Sequence, residues 1–271
     1  MESQPVGLTK GIHVLHLFYR VDGPVWAELP AGESAAALRK LEAHCAAHAA
    51  ASHPRLTTYA NIGGKADLVF MLTAAELGQI GGMHRDLEHC FPPGALRPVY
   101  SYLSVTELPE YMTTEEDMKR TLVEQEKLEP GSDTFDQRLA QMRQRQAEYE
   151  HYRLYPELPD WEVMAFYPMS KRRQGADNWY LLDLATRKKL MGGHARVGRK
   201  FAGRVSQLIT GSTGIDDWEW GVTLVAHQVD ALKEIVYEMR FDDVSARYGE
   251  FGPFYVNLRL TPGALWRHLH L

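Results

Sequence analysis

The sequence contains only two cysteines, Cys45 and Cys90, and they do not form a CxxC pair. This scarcity argues against a zinc site and against a disulfide framework, and it is typical of proteins from a reducing compartment. No uninterrupted apolar run reaches about 18 residues, so no membrane span is expected. The N-terminus lacks the basic start and apolar core of a signal peptide. We therefore expect a cytoplasmic protein.

The chain also lacks an excess of positive charge, because its formal net charge is -5 over 271 residues. No global basic field is available to attract nucleic acid or an anionic membrane. The motifs GxSxG, HExxH and GxGxxG and the Walker loop are missing as well, which sets aside the chemistries that they serve. Any acidic ligand must therefore be met by a local cluster of cations.

Two parts of the chain show the same order of predicted elements, β-α-β-β-α-β. In the first, strand 11–20, helix 33–52, a hairpin around Gly63 and Gly64, helix 73–90 and strand 97–108 follow one another. In the second, the order is strand 160–170, helix 184–203, two strands within 204–227, helix 228–241 and strand 253–260. Val229, Leu232, Ile235, Val236 and Met239 are predicted to form the buried face of helix 228–241.

Such a repeat predicts an α+β protein of two tandem ferredoxin-like modules. Each module leaves one sheet face bare, and packing the two faces together gives a barrel with the helices outside. We expect an N-terminal module at 1–109, a polar helical linker at 110–159 and a C-terminal module at 160–271. A Pro-Gly-Ser break at 130–132 separates two helical patches of the linker, and Thr113 or Thr114 is a candidate cap for the first.

The helix at 184–203 carries a histidine on its apolar stripe, where Leu190, His194, Val197 and Phe201 recur at helical spacing. A histidine in such a position is more often a core or interface residue than a ligand. Gly192 and Gly193 favour the second interpretation, because they leave room for a flat group near the backbone. A neutral imidazole that projects into an apolar cavity is what a proximal haem ligand requires.

A tyrosine, Tyr167, ends the predicted strand 160–170, and Lys171 follows four residues later. Tyrosine can donate an electron and a proton, and lysine can hold a carboxylate or relay a proton. Arg153, Arg172 and Arg173 are candidates to bind further carboxylates. The simpler alternative is a surface turn with solvated basic residues.

Strand alternation places Gln207 on one face with Ile209 and Gly211, either as a structural hydrogen-bond donor or above a ligand. Trp218 and Trp220 are two residues apart and are predicted to share a strand face.

Long motifs in the C-terminal half resemble those of the coproheme decarboxylases, a chlorite-dismutase-like haem family. They are YPMSKRR (167–173), NWY (178–180), GRKFAG (198–203), QLITGSTGIDDWEWGVTL (207–224) and VYEMRFDDVSARYGEFGPFYV (236–256). The N-terminal half is similar mainly in its plan. Gln207 and the intact YPMSK are similar to the branch that uses a tyrosine and a glutamine.

The resemblance implies that His194 is the axial iron ligand, that Tyr167 becomes a radical that attacks a propionate, and that Lys171 assists. It further implies that the substrate-binding residues include Arg153, Met169, Ser170, Trp179, Gln207 and Ser245. The implied reaction uses hydrogen peroxide to decarboxylate coproheme III at propionates 2 and 4, through a three-propionate intermediate, to protohaem.

The resemblance also implies a homopentamer, with a coproporphyrin ferrochelatase as the donor of coproheme. Two other functions remain open. A chlorite dismutase has a distal arginine where this chain has Gln207, and a non-enzymatic haem-binding or haem-delivery protein needs His194 but not Tyr167.

Overall fold

A computed structural model describes residues 6–50 and 52–271. Its strands are β1 (His13–Val21), β2 (Arg55–Asn61), β3 (Leu68–Ala74), β4 (Leu96–Val105), β5 (Val163–Lys171), β6 (Arg173–Gln174), β7 (Asp177–Asn178), β8 (Val205–Gly211), β9 (Trp220–Ala226), β10 (Gly249–Phe251) and β11 (Tyr255–Arg259). Its helices are α1 (Gly23–Ala27), α2 (Glu33–Ala47), α3 (Leu77–Glu88), α4 (Glu115–Glu124), α5 (Asp133–Leu154), α6 (Leu184–Arg199), α7 (Val229–Met239), α8 (Asp243–Tyr248) and α9 (Pro262–Leu269), with a 3₁₀ turn at Trp179–Leu181.

Eight strands close into an antiparallel barrel in the order β5-β11-β2-β3-β1-β4-β8-β9, with β9 paired again to β5. The first module contributes β2-β3-β1-β4 and the second contributes β11-β5-β9-β8, which is the ferredoxin-like strand order in both cases. The modules meet at two seams. One joins β4 to β8 at Val105 and Gly211, and the other pairs β2 with β11. The α+β fold predicted from the repeat, with helices outside a barrel, is confirmed.

Strand β1 shows why the barrel strands are apolar on both faces. Val14 and Phe18 point into the barrel, where they pack with Phe166 and Tyr255. The intervening residues, such as Leu17, face outward and pack beneath helices α2 and α3. A second outer core, around Tyr167, lies between the C-terminal strands and helix α7, and includes Phe201 just after α6. The site described below is built on this outer face.

The side chain of His16 is a polar group enclosed in the barrel. Its Nε2 lies 3.0 Å from Thr223 Oγ1, and its ring stacks on Phe166 with 4.3 Å between the ring centroids. Burial lowers the pKa of His16 to about 3, so the ring is neutral at physiological pH. His13 belongs to the opposite face of the strand, as alternation predicts.

Several predicted boundaries differ from the structure. Helix α6 ends at Arg199 instead of 203, α2 ends at Ala47, and residues 73–74 belong to β3 instead of the following helix. Trp218 precedes β9 and packs toward the barrel interior, whereas Trp220 opens the strand, so the prediction of a shared face is wrong. Val229 is 54% exposed at the first position of α7, so it does not belong to that helix's buried face.

The last helix, α9, packs on the N-terminal module. Leu265 and Trp266 are buried against residues of α2 and α3, and Trp266 Nε1 donates to Ser34 Oγ at 3.0 Å. The sequence patterns contained no prediction for this segment.

In the linker, the break at 130–132 separates α4 from α5 as expected, and Thr114 caps α4 in a capping box with Asp117. No described helix is both long and apolar enough to cross a membrane.

Candidate functional site

The outer face of the C-terminal strands brings two predicted residues of β5 together. Tyr167 and Lys171 are four residues apart, so strand alternation places both side chains on this face. The same outer face continues across the neighbouring strands, because Tyr167 pairs with Val222 of β9 and Val222 pairs with Ile209 of β8. Gln207 lies two residues before Ile209 on the same face, as predicted.

Tyr167 is only 4% exposed and stacks on Phe254, with 4.3 Å between the ring centroids. Phe251 lies next to both rings, with its centroid 5.9 Å from that of Tyr167 and 6.4 Å from that of Phe254. Burial raises the pKa of the Tyr167 phenol well above its ordinary value, although Arg240 opposes the shift. The residue is therefore a neutral phenol, and its hydroxyl has no hydrogen-bond partner among the described residues. A neutral phenol retains the hydrogen that a one-electron, one-proton step removes.

Lys171 is a buried cation without a carboxylate close to it. Its side chain is 8% exposed, and its Nζ lies 4.9 Å from the ring centroid of Trp179. Burial lowers its pKa to about 8, against the opposing effect of Asp242 and Glu219. Within residues 6–50 and 52–271, no carboxylate oxygen lies within 4.0 Å of this ammonium. Desolvating an unpaired charge is costly, so the site is prepared for an anion.

His194 is held by a carboxylate. Its Nδ1 lies 2.9 Å from Asp242 Oδ2, and both side chains are largely enclosed, with 27% and 8% exposed. Burial raises the pKa of Asp242, but hydrogen bonds from His194 and Ser245 outweigh it and leave the pKa below its ordinary value. An ionised carboxylate only accepts, so Nδ1 carries a proton, and the neutral tautomer that this bond selects has its lone pair on Nε2. Histidine ligands of metals commonly have such a partner.

The sequence patterns did not single out Asp242. It is the N-cap of α8, where its Oδ1 accepts from the backbone N–H groups of Val244 and Ser245, each at 3.0 Å. Ser245 Oγ also donates to Asp242 Oδ2 at 3.2 Å. An aspartate before a short helix is a recognisable cap signal in FDDVSARY, but its contact with a residue 48 positions earlier is not.

Helix α6 touches the strands near its C-terminal end and is only partly buried along its length. At the C-terminal end of the helix, a Cβ on Gly198 would lie 3.3 Å from Gln207 Nε2, so helix and strand are in contact. At Gly192, nothing lies within 4 Å of such a Cβ, and no residue of α6 itself is fully buried. Gly192 is two positions before His194, so this open space lies on another face of α6 than the imidazole. The His194 side chain is itself 27% exposed, which leaves it accessible to a ligand.

Arg153 lies at the edge of the same face. Its Nη2 donates to the Glu107 carbonyl oxygen at 3.4 Å, and its enclosed Nε has no partner among the described residues. The Glu107 carboxylate accepts from Trp220 Nε1 at 3.2 Å, next to Gly211. Arg153 thus adds a second cation with unused hydrogen-bond donors.

Of the other predicted residues, some lie at the site and one faces away from it. Trp179 is buried between Lys171 and Tyr248. Met169 lies on the outer face, whereas alternation turns Ser170 the other way, where its hydroxyl accepts from the Glu219 N–H at 3.3 Å.

Of the three consecutive cations, two are paired with acids. Arg173 lies 3.7 Å from Glu219, and Arg172 lies 3.8 Å from Asp177 and 4.0 Å from Glu250. The structure therefore does not bring all three cations to one ligand; Lys171 alone faces the site without an acid.

A comparison with family models matches residues 33–260 to the chlorite dismutase family. The chain belongs to that family. The match begins after β1 and α1 and covers the rest of the first module, the linker and nearly all of the second module, so it extends well beyond the C-terminal motifs.

Solved structures agree. A novel haem-binding protein from Thermus thermophilus is 36% identical, with a TM-score of 0.79 over 99% of this chain and 98% of that one. A mutant chlorite dismutase from Candidatus Nitrospira defluvii is 16% identical, with a TM-score of 0.68 over 96% and 97%. A putative chlorite dismutase is 17% identical, with a TM-score of 0.65 over 94% and 97%. The last two show the shared fold alone.

Proposed function

We propose that this protein is a coproheme decarboxylase, which uses hydrogen peroxide to convert propionates 2 and 4 of coproheme III into vinyl groups and yields protohaem through a three-propionate intermediate. The observation that carries the proposal is Lys171. A buried ammonium beside a buried tyrosine, with no carboxylate close to it, matches a substrate whose reacting group is a carboxylate. A carrier has no evident need for that pairing.

The residues present fit a haem. His194 offers Nε2 because Asp242 fixes its other nitrogen, and the partly exposed histidine side chain is accessible to a ligand. When bound, the iron porphyrin supplies the redox chemistry with peroxide. Lys171 and Arg153 hold carboxylates at the rim, and Gln207 offers a neutral amide on the same face. We also propose roles in substrate binding for Met169, Trp179 and Ser245. The side chain of Ser170 faces away from this site, so its predicted role in binding stays a prediction.

The chain's own part in the redox step belongs to Tyr167. Loss of one electron and one proton turns the phenol into a phenoxyl radical, which removes a hydrogen atom from the propionate side chain. A second one-electron loss cleaves the bond to the carboxylate. For each propionate, R–CH₂CH₂–COO⁻ + H₂O₂ + H⁺ gives R–CH=CH₂ + CO₂ + 2 H₂O. Phe254 and Phe251 hold the tyrosine ring in place throughout.

Two further elements of the proposal rest on the family resemblance. We propose a homopentamer in the cytoplasm, and a coproporphyrin ferrochelatase as the donor of coproheme. The mass of the assembly, measured by light scattering, tests the first.

Two other functions have specific support. The Thermus protein is described as haem-binding, which favours a haem carrier, and the family's name favours chlorite dismutation. Gln207 carries no charge to manage an anionic oxidant, which argues against chlorite dismutation. Tyr167 distinguishes a decarboxylase from a haem carrier, because a carrier has no use for its hydroxyl.

The test is to load the protein with coproheme, titrate in hydrogen peroxide and follow the porphyrin masses. We expect stepwise loss of two carboxyl groups in the wild type and none in Tyr167→Phe, which keeps the ring stack and binds as before. Tyr180→Phe is the matched control, because Tyr180 is 48% exposed. Tight binding with unchanged masses in the wild type would leave a haem carrier, and oxygen release from chlorite would identify a dismutase.

A further inference from the structure

A second cluster of cations lies at the far end of the barrel from Lys171. It surrounds a narrow, open-mouthed cleft with an internal volume of about 20 Å³, where β2 begins at Arg55, β11 ends at Arg259, and Asp160 precedes β5. Tyr59, Thr57 and His53 also line the cleft. None of these residues takes part in the site on the outer face.

The charges in this cleft do not balance. Arg55 and Arg259 both pair with one oxygen, Asp160 Oδ1, and the Arg55 Nη2 contact measures 2.6 Å. The two arginine side chains are 14% and 26% exposed, whereas Asp160 is 66% exposed. Two largely enclosed guanidinium groups thus share a single solvated carboxylate. Of the nearby acids, Glu162 pairs with His227 at 2.6 Å, and Glu157 forms no ion pair with either arginine among the described residues.

Hydrogen-bond donors remain available there. Arg55 uses Nη1 for the Leu158 carbonyl oxygen at 3.2 Å and Nη2 for Asp160, while the Arg259 guanidinium contacts only Asp160 among the described residues. A guanidinium offers five N–H donors in a planar fork that matches an oxyanion. Burial raises the pKa of Tyr59 to about 12, so its phenol is also a donor at neutral pH.

We propose that this mouth of the barrel is a binding site for a small oxyanion. The anion bridges Arg55 and Arg259 and takes hydrogen bonds from the donors that Asp160 leaves free. Asp160 competes for the same guanidinium groups and weakens the site. The shared chemistry is a compact anion with two or more acceptor oxygens, supplied by a small carboxylic acid or by inorganic phosphate.

The test is isothermal titration of the full-length protein with formate and with phosphate, each at constant ionic strength, and with chloride as the reference anion. We expect saturable binding of one oxyanion. Preference for formate identifies a carboxylate site, and preference for phosphate identifies a phosphate site. Equal, non-saturating responses to all three anions would overturn the proposal.

Two variants give opposite predictions. Arg259→Gln should abolish the binding, whereas Asp160→Asn should strengthen it about tenfold, because it removes the competing charge. Arg204→Gln is the matched control, since Arg204 makes a comparable pair with Glu234 at 2.8 Å on a different surface. If Arg259→Gln fails to fold, Asp160→Asn decides alone: unchanged or weaker binding would contradict the competition that the geometry predicts.

Discussion

Replacing Asp242 with asparagine tests how His194 is prepared for a metal. Both carboxylate oxygens are in use: Oδ1 accepts two backbone N–H groups of α8, and Oδ2 accepts from His194 Nδ1. Asparagine has one acceptor oxygen and is as good an N-cap as aspartate, so we expect its oxygen to stay with the helix. Its NH₂ group then faces His194 and disfavours the tautomer that leaves Nε2 free.

The magnitude follows from the lost bond. A hydrogen bond to a charged group contributes about 1.5–3 kcal/mol, which corresponds to about 10- to 100-fold in affinity. We therefore expect Asp242→Asn to bind haem or coproheme about 10- to 100-fold more weakly. Absorbance titration measures the affinity, and the iron–histidine stretching frequency of the ferrous complex should fall.

Asp183→Asn is the control for this experiment. Asp183 caps α6, the helix of His194, by accepting from the Thr186 N–H at 2.7 Å, and it is exposed. We expect that variant to keep the affinity and the vibration of the wild type. If Asp242→Asn also kept both, the carboxylate would have no part in orienting His194, and our interpretation of the pair would be refuted.

Three further predictions concern stability. Lys171→Met should stabilise the ligand-free protein at pH 7 by about 1–3 kcal/mol, because it removes a buried charge. The pKa of Lys171 is about 8 in the folded protein and 10.5 in the unfolded chain, so the unfolded chain binds more protons between these pH values. The stability of the wild type should therefore rise from pH 8 to 10.5. Chemical denaturation should show that this rise is lost in Lys171→Met. The pKa of His16 is also lowered by folding, so stability should rise with pH between 3 and 6.5. Acidification from pH 6.5 to 5 should reduce the free energy of unfolding of the wild type by about 2 kcal/mol more than that of His16→Phe. Equal losses of stability in the two proteins would contradict this prediction. Gly252→Ala should destabilise by about 1–3 kcal/mol, since its Cβ would lie 2.7 Å from Pro168 Cγ, whereas Gly192→Ala, in open space within a helix, should stabilise by about 0.5–1 kcal/mol in thermal unfolding.

Local patterns predicted the repeated strands and helices because the hydrophobic periodicity of a strand or helix depends on a few neighbouring residues. Tyr167, Lys171 and Gln207 reach the same face since alternation along a strand is a local property. Long-range features were beyond such patterns. The seam between Val105 and Gly211 and the contact of Asp242 with His194 join residues far apart in the chain. Trp218 was misplaced because a tight turn before β9 interrupts the alternation that the sequence pattern continues.

The return of the chain's end to its beginning has a consequence for biosynthesis. Strand β11 pairs with β2, and α9 covers the helices of the first module. A nascent chain that has reached the end of β4 must therefore wait for about 160 more residues before that core is covered. At bacterial and eukaryotic elongation rates this takes roughly 10 to 30 s. During that interval the edge of β2 has no partner strand, and the surface that α9 later covers stays exposed on the ribosome.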